Sequence, residues 1–358
     1  MNGVMVRGWS ALSSAGIGTR ALSDRIAGMD LDTAPTGPDT EFAEPLPAPG
    51  HAVTGFDPVA RLGRKGTSTY DRVTALTSVC CQEALEEAGT VVDDTTSPRI
   101  GVVLGTTLGS LKSSSDFERD TLVHARPYMV NPRLFPTGVM NFAAGQVAIR
   151  FGLRGVNATL AGGDVAFFNG LRYAATMLGH GRAEVMLTGA AEEFTPHRAW
   201  AAHLTGGTAA PLGEGAAMFV LTRPDAPSWT GPDRWAHVRG VATGFGAGDR
   251  SGAALTGCVI RLLEETRTDP AVVTTVLTGE ATADDTTEYG PVAQALGQSP
   301  RRMMVKRLLG ECSAASAALA LSFLLAADAD PGLTLLTARG RDGSVGAALV
   351  EVLPRCRR

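Results

Sequence analysis

The sequence predicts an α/β protein built from a duplicated unit, and three observations carry this. Residues 155–193 read strand, tight turn, helix, strand: apolar Ala158 to Ala161 meets Gly162 and Gly163, then Asp164, and a helix-period run follows from Val165 to Leu178. Ile100 to Leu104 is a continuous apolar run of the kind covered on both faces in a parallel sheet. The second half echoes the first. Gly215 to Leu221 and Gly346 to Val352 are matching closing strands, and Met303 to Leu309, Gly310-Glu311-Cys312 and the small-residue run Ser313 to Ala327 repeat strand, turn, helix.

The elements follow in order. Val4 to Gly8 is a short strand, Ser13 to Gly18 a turn, and Thr19 to Ala27 a helix. Leu31 to His51 is rich in Pro, Asp and Thr without periodicity and reads as a surface excursion. Tyr70 to Ala88 carries apolar residues at three-and-four spacing with Gly89 as its stop; its adjacent Cys80 and Cys81 are most simply packing groups. Gly105 to Gly109 separates the Ile100 strand from a helix at Ser110 to Val123, and it lacks the three-glycine spacing of a dinucleotide-binding turn. After the prolyl loop Val130 to Pro136 comes a helix from Met140 that ends at glycine. Residues Thr222 to Trp235, broken by proline and glycine, connect an N-terminal half, 1–225, to a C-terminal half, 226–358.

Composition narrows the function classes. In 358 residues, hydrophobic content of 44% against 19% charged predicts a globular protein, and a net charge of −4 argues against bulk nucleic-acid binding. No apolar run is long enough to span a bilayer, and MNGVMVRGWS lacks a secretion-signal pattern. Five cysteines without CxxC spacing and six histidines without HExxH pairing predict neither disulfide frame nor metal site, and a reducing cytoplasm is the expected compartment.

Strand, tight turn, helix is the geometry that thrusts one side chain into a pocket beside unpaired helix N–H groups. Here the tip is Asp164, a poor acyl carrier. The motifs around it resemble the beta-ketoacyl synthases of the thiolase superfamily. Ala183 to Glu192 is similar to the family's Ala-Asp-Val-Met-Val-Ala-Gly-Gly-Ala-Glu strand, Met140 to Gly155 to its Asn-Met-Ala-Ala-Gly-His-Ile-Ala-Ile-Arg-Phe-Gly-Leu-Lys-Gly run, and Pro211 to Leu221 to its Met-Gly-Glu-Gly-Ala-Gly strand. The resemblance implies a thiolase-like duplicated α-β-α-β-α five-layer fold.

It also implies a site. A condensing enzyme of this family needs a thiolate and two imidazoles. By resemblance Asp164 falls at the cysteine, Leu277 or Thr278 at the first histidine, and Glu311 at the second, within Val305-Lys306-Arg307-Leu308-Leu309-Gly310-Glu311, where Lys306 and Gly310 match. Arg341 to Gly346 corresponds to the glycine-rich oxyanion loop and keeps little of it.

The resemblance therefore implies a subunit of the chain-length-factor type, with no catalytic residue of its own and no cofactor. Such a subunit pairs with a catalytic ketosynthase, meets acyl carrier protein through the complex, and shapes the acyl tunnel. Leu111, Ser114, Ser115 and Phe117 on the helix after Gly109 would form the gate, with Asp116 an unusual charge if it faces inward. Two other readings stand: an acyltransferase or thioesterase using Cys312 or the Asp164/Glu311 pair, and a plain scaffold. Asp164 and Glu311 read most simply as polar plugs satisfied by N–H groups or by Lys306, and Arg61, Arg64, Lys65, Arg301 and Arg302 as solvated surface charges.

Overall fold

The computed structural model describes residues 3–27, 44–207, 210–226, 235–327 and 332–353. The first half begins with β1 (Val4–Ser13), buried along its length, then β2 (Gly16–Ile17) and α1 (Thr19–Ala27). β1 runs past the expected Gly8 because residues 8–13 pair with 220–215 across the sheet, a partner the mixed local sequence does not announce. Most of the Leu31–His51 excursion lies outside the described residues. Its end is a correction: His51 is buried, donating its N–H to the Leu212 carbonyl at 2.8 Å and accepting from the Glu214 N–H at 2.8 Å. A backbone that bridges two chain segments sits inside although its sequence reads as loop.

Next come α2 (Pro58–Leu62), α3 (Arg72–Glu87), β3 (Ile100–Thr106), α4 (Leu111–Val123) and α5 (Leu134–Thr137). Asp71 caps α3 by accepting from the Thr74 N–H at 2.7 Å, and Ser110 caps α4 through Ser113. The half closes with α6 (Phe142–Phe151), β4 (Asn157–Ala161), α7 (Ala166–Gly179), β5 (Val185–Glu192), α8 (Pro196–Leu204) and β6 (Gly215–Thr222). The second half holds β7 (Ala236–Phe245), α9 (Ser251–Thr266), β8 (Val273–Leu277), α10 (Tyr289–Leu296) and β9 (Arg301–Met303). It ends with α11 (Lys306–Leu309), α12 (Ala314–Ala326), β10 (Gly332–Arg339) and β11 (Ser344–Val352).

The expected strand from Met303 to Leu309 is a second correction. Only Met303 belongs to a strand, and Lys306 to Leu309 forms one helical turn. Val305, Leu308 and Leu309, three and four apart, all face the core, which a turn of helix allows and an alternating strand does not.

The strand order is β4-β3-β5-β6-β1-β7-β11-β10-β8-β9. The duplication is visible in it. Counting strands within each half, and leaving aside the two-residue β2, both give the order third, second, fourth, fifth, first, with the same sequence of parallel and antiparallel pairings, and the two first strands meet at Val4–Val6 and Ala236–Val238. Between the two halves of this one continuous sheet lie α7 and α12, with Phe167, Phe168, Leu319 and Phe323 packed against Trp9 and Phe219. α12 is apolar all round because both faces are buried. α3 and α6 cover the outer face of the first half of the sheet, and α9 and α10 that of the second, giving the five expected layers. The 225/226 boundary falls in the connection from β6 to β7, where residues 227–234 lie outside the described residues. Among the described residues no helix is long and apolar enough to cross a membrane.

Candidate functional site

The site is built where the turn after β4 meets the turn before α12. Gly162 and Gly163 bend the chain out of β4, Gly163 with a φ of +52° that disfavours a side chain, and Asp164 lies in a single 3-10 turn before α7. From the second half, α11 presents Lys306. Gly310, at φ +78°, turns the chain where a Cβ would lie 2.8 Å from the Pro211 carbonyl, and so aims Glu311 back at the lysine. Lys306 Nζ is 2.7 Å from Glu311 Oε2 and 3.4 Å from Asp164 Oδ1. The other Glu311 oxygen accepts from the Ser313 N–H at 2.8 Å and the Ser316 hydroxyl at 3.3 Å.

The electrostatics of this trio are unequal. Burial works to raise Glu311, but the Lys306 charge and hydrogen bond and the Ser313 N–H outweigh it and hold the carboxyl below its ordinary value. Burial also pushes Asp164 up, and its longer contact to Lys306 offsets this only in part, with Glu311 and Asp342 adding like charge. Burial favours a neutral amine at Lys306; the two carboxylates overcome it and raise the amine above the usual lysine range. The elbow thus holds a cation between a firm carboxylate and a weaker one.

Arg198, on α8, ties this turn to the first half. It donates to the carbonyls of Glu193 (2.6 Å), Gly213 (2.8 Å) and Glu311 (3.2 Å) and to the Ser313 hydroxyl (3.0 Å). Ser313 sits at φ +43°, a strained setting for a residue with a side chain, and this clamp helps to hold it.

Cys312 is a correction to the reading of a reactive thiol at a helix start. It is fully buried, its Sγ faces the Leu309 carbonyl, and burial pushes the thiol up to about 12. Thr278 is buried just past β8, donating its N–H to the Met303 carbonyl at 3.1 Å and accepting from Arg302 at 3.4 Å; among the described residues no hydrogen bond joins it to the Lys306 cluster. The loop beyond it approaches the cluster instead through Glu288, whose charge acts on Lys306.

Glu288 and the Glu280–Arg302 pair are the residues sequence reasoning missed. Arg302 is not a solvated surface charge. Its side chain is 12% exposed, pairs with Glu280 at 1%, donates to the carbonyls of Thr282, Ala283 and Asp285, and lies 5.3 Å from the Tyr289 ring. The Arg301-Arg302 doublet in a strand was the available signal, since alternation sends one of the two inward.

Glu288 accepts from the Gly279 N–H (2.8 Å), the Thr337 hydroxyl (3.0 Å) and the Arg339 N–H (3.1 Å), yet burial raises it to about 7. A carboxyl raised on folding favours the folded state below its unfolded value of 4.5 and loses that advantage as pH climbs through about 7. Glu193, capping the first turn of α4, is also raised by burial to about 7. Melting temperature is therefore expected to fall between pH 5 and pH 8, and Glu288→Gln to make that slope shallower; an unchanged slope would reject the assignment.

On α4 the residues expected to form a gate divide. Ser114 Oγ donates to the Ser110 and Gly138 carbonyls, each at 3.2 Å, so it faces α5. Phe117 packs on Phe135 of α5 with ring centroids 5.9 Å apart, while Leu111 and Ser115 are half-buried. Asp116 lies 2.6 Å from Lys112 and 3.8 Å from both Arg119 and His197, so it is neutralised on the helix flank. Among the described residues no group of three His, Cys, Asp or Glu is placed to hold a metal ion.

Residues 7–226 match the beta-ketoacyl synthase N-terminal domain, more than half of the chain. The chain belongs to the beta-ketoacyl synthase family. Among solved structures this family member resembles the ishigamide ketosynthase/chain length factor, with a TM-score of 0.83, 33% identity and 99% and 100% of the two chains covered. It also shares its fold with a type II polyketide synthase ketosynthase solved with its acyl-carrier protein and a hexaketide (TM-score 0.81, 17% identity, 99% and 100% covered). Among curated proteins it is 29% identical over 215 residues to the tetracenomycin polyketide synthase ketoacyl synthase alpha subunit of Streptomyces glaucescens, covering 52% of this chain and 50% of that one. The matches span between 34% and 50% of the length of the curated relatives. The fold is thiolase-like, as the resemblance implied.

Proposed function

We propose that this chain is a non-condensing, chain-length-factor-type subunit that pairs with an active ketosynthase in a polyketide synthase and shapes its acyl tunnel. The observation that carries the reading is the elbow itself: the tip residue is a carboxylate bound to Lys306, and Cys312, next to Glu311 in the chain, is fully buried with its thiol pushed up by burial. A carboxylate in an ion pair cannot take an acyl chain as a thiolate does. Asp164 and Glu311 do differ in acidity, as an acid/base pair must, but Lys306 occupies the space between them where a substrate would have to sit.

The surface supports a partner. β4 ends the strand order and is partly exposed, an edge that invites pairing. Elsewhere on the first half Leu108, Phe135, Val139 and Met140 are exposed, with Gly109 packed on Met140. Such an apolar surface is suited to a ketosynthase subunit of the same fold. Acyl carrier protein would then meet the complex rather than this chain alone.

Native mass spectrometry of the chain co-expressed with a ketosynthase encoded beside it tests the pairing. A one-to-one complex is expected; a homodimer that ignores the ketosynthase would overturn the reading. Within that complex Ser114→Phe, which replaces a small hydroxyl between α4 and α5 by a ring, is expected to shorten the polyketide. Unchanged product length with an intact complex would leave a scaffold in place of a tunnel-shaping subunit.

A further inference from the structure

Pro211 serves two places at once. Its carbonyl accepts the Glu311 N–H at 2.8 Å, and the residue also lines a groove of about 340 Å³ whose walls include Pro47, Pro49, Ala199, Ala202 and His203. We infer that this groove is a binding site for a neutral molecule of two fused aromatic rings carrying one hydroxyl group, separate from the elbow and independent of the proposed function.

The absence of charge makes the occupant neutral. Among the described residues the lining holds no Asp, Glu, Lys or Arg, so an ion would give up water there without a counter-charge. Few backbone groups are free to compensate. The prolines carry no N–H, the Pro211 carbonyl is taken by Glu311, and the Leu212 carbonyl accepts from the His51 N–H at 2.8 Å. His203 is the one lining side chain among the described residues that can form a hydrogen bond. Trp200 holds its imidazole edge-on, with ring centroids 5.7 Å apart and planes at 90°, and the ring nitrogens make no hydrogen bond among the described residues. A hydroxyl, which both donates and accepts, matches an imidazole in either tautomer.

Shape decides the rest. Ala199, Ala202 and His203 are three and four apart and share one face of α8, where the alanines keep the wall low. The proline rings of the other walls are stiff. A planar aromatic body can bury its faces against such walls, whereas an alkyl chain would lose rotamer freedom in doing so. The groove is also held open in advance. Trp200 Nε1 donates to the Pro45 carbonyl at 3.1 Å and so fastens the segment leading to Pro47 onto α8, which lowers the cost of ordering on binding. A cavity of this size has room for two rings.

Calorimetric titration of the full chain tests this with 2-naphthol, phenol and naphthalene-2-sulfonate as probes. Saturable binding of 2-naphthol is expected, with phenol weaker by about tenfold or more for the lost ring and the sulfonate weaker by about tenfold or more for its charge. Ala202→Phe places a ring in the groove and is expected to weaken 2-naphthol by about tenfold or more, with a melting curve to check the fold. His203→Ala, at an exposed position that spares the core, should weaken it by about fivefold and keeps the test open if Ala202→Phe does not fold. No saturable binding of 2-naphthol, an affinity unchanged in His203→Ala or in folded Ala202→Phe, or the sulfonate binding as tightly as 2-naphthol would overturn the inference.

Discussion

Lys306→Met is expected to destabilise the protein by about 3–5 kcal/mol at pH 7, read from the urea midpoint, because it leaves two largely covered carboxylates without their cation. In the wild type the cluster's contributions have opposite pH limits. Glu311 is held below its ordinary 4.5, so its contribution is present above that pH and is lost as pH falls further. Lys306 is raised above its ordinary 10.5, so its contribution is complete below that value and is lost only as pH rises beyond it. Asp164, raised by burial, instead loses its contribution as pH rises through its raised value, so it is the Lys306–Glu311 pair that stays intact between pH 5 and pH 9. In the variant burial acts on both carboxyls without their cation, so the variant should gain more stability than the wild type does as pH drops from 8 to 5. Adding Asp164→Asn and Glu311→Gln should restore most of the loss at pH 7. A cost under about 1 kcal/mol for Lys306→Met would show that the trio does not hold this turn.

Arg302→Met should cost a similar amount, about 3–5 kcal/mol, for a related reason. Glu280 would stay buried, accepting from the N–H groups of Glu288 (2.7 Å) and Tyr289 (3.0 Å) but with no cation, and three loop carbonyls would lose their donor. Arg302→Lys keeps the charge and gives up the fork, so an intermediate loss is expected. The local readout is limited proteolysis: cleavage within residues 278–288 should rise in Arg302→Met and not in Lys306→Met. Equal cleavage in the two variants would mean that the Glu280–Arg302 pair does not close this loop.

The repeat was legible because it is written in local pattern. Apolar runs, glycine stops and the echo of Gly215–Leu221 in Gly346–Val352 are chain-local, and strand order in the two halves repeats as that echo implies. Failures came where the partner was distant in sequence. β1 extends to Ser13 only because β6 lies beside it, and His51 looks like surface until Leu212 and Glu214 are placed against it. The Met303–Leu309 run is apolar enough to read as strand, and only the direction of the core made it a turn of helix.

By itself the sequence determined the α/β class, the duplication, the elbow after Gly163 and the family, since these rest on periodicity, turn chemistry and motif. Tertiary structure decided the charges. Lys306 and Glu311 are five residues apart and Asp164 is 142 residues from the lysine, so whether they plug one another depends on how the two halves meet. The same holds for Cys312 and Arg302. A thiol is reactive or inert, and an arginine solvated or clamped, according to burial and neighbours that no local pattern encodes.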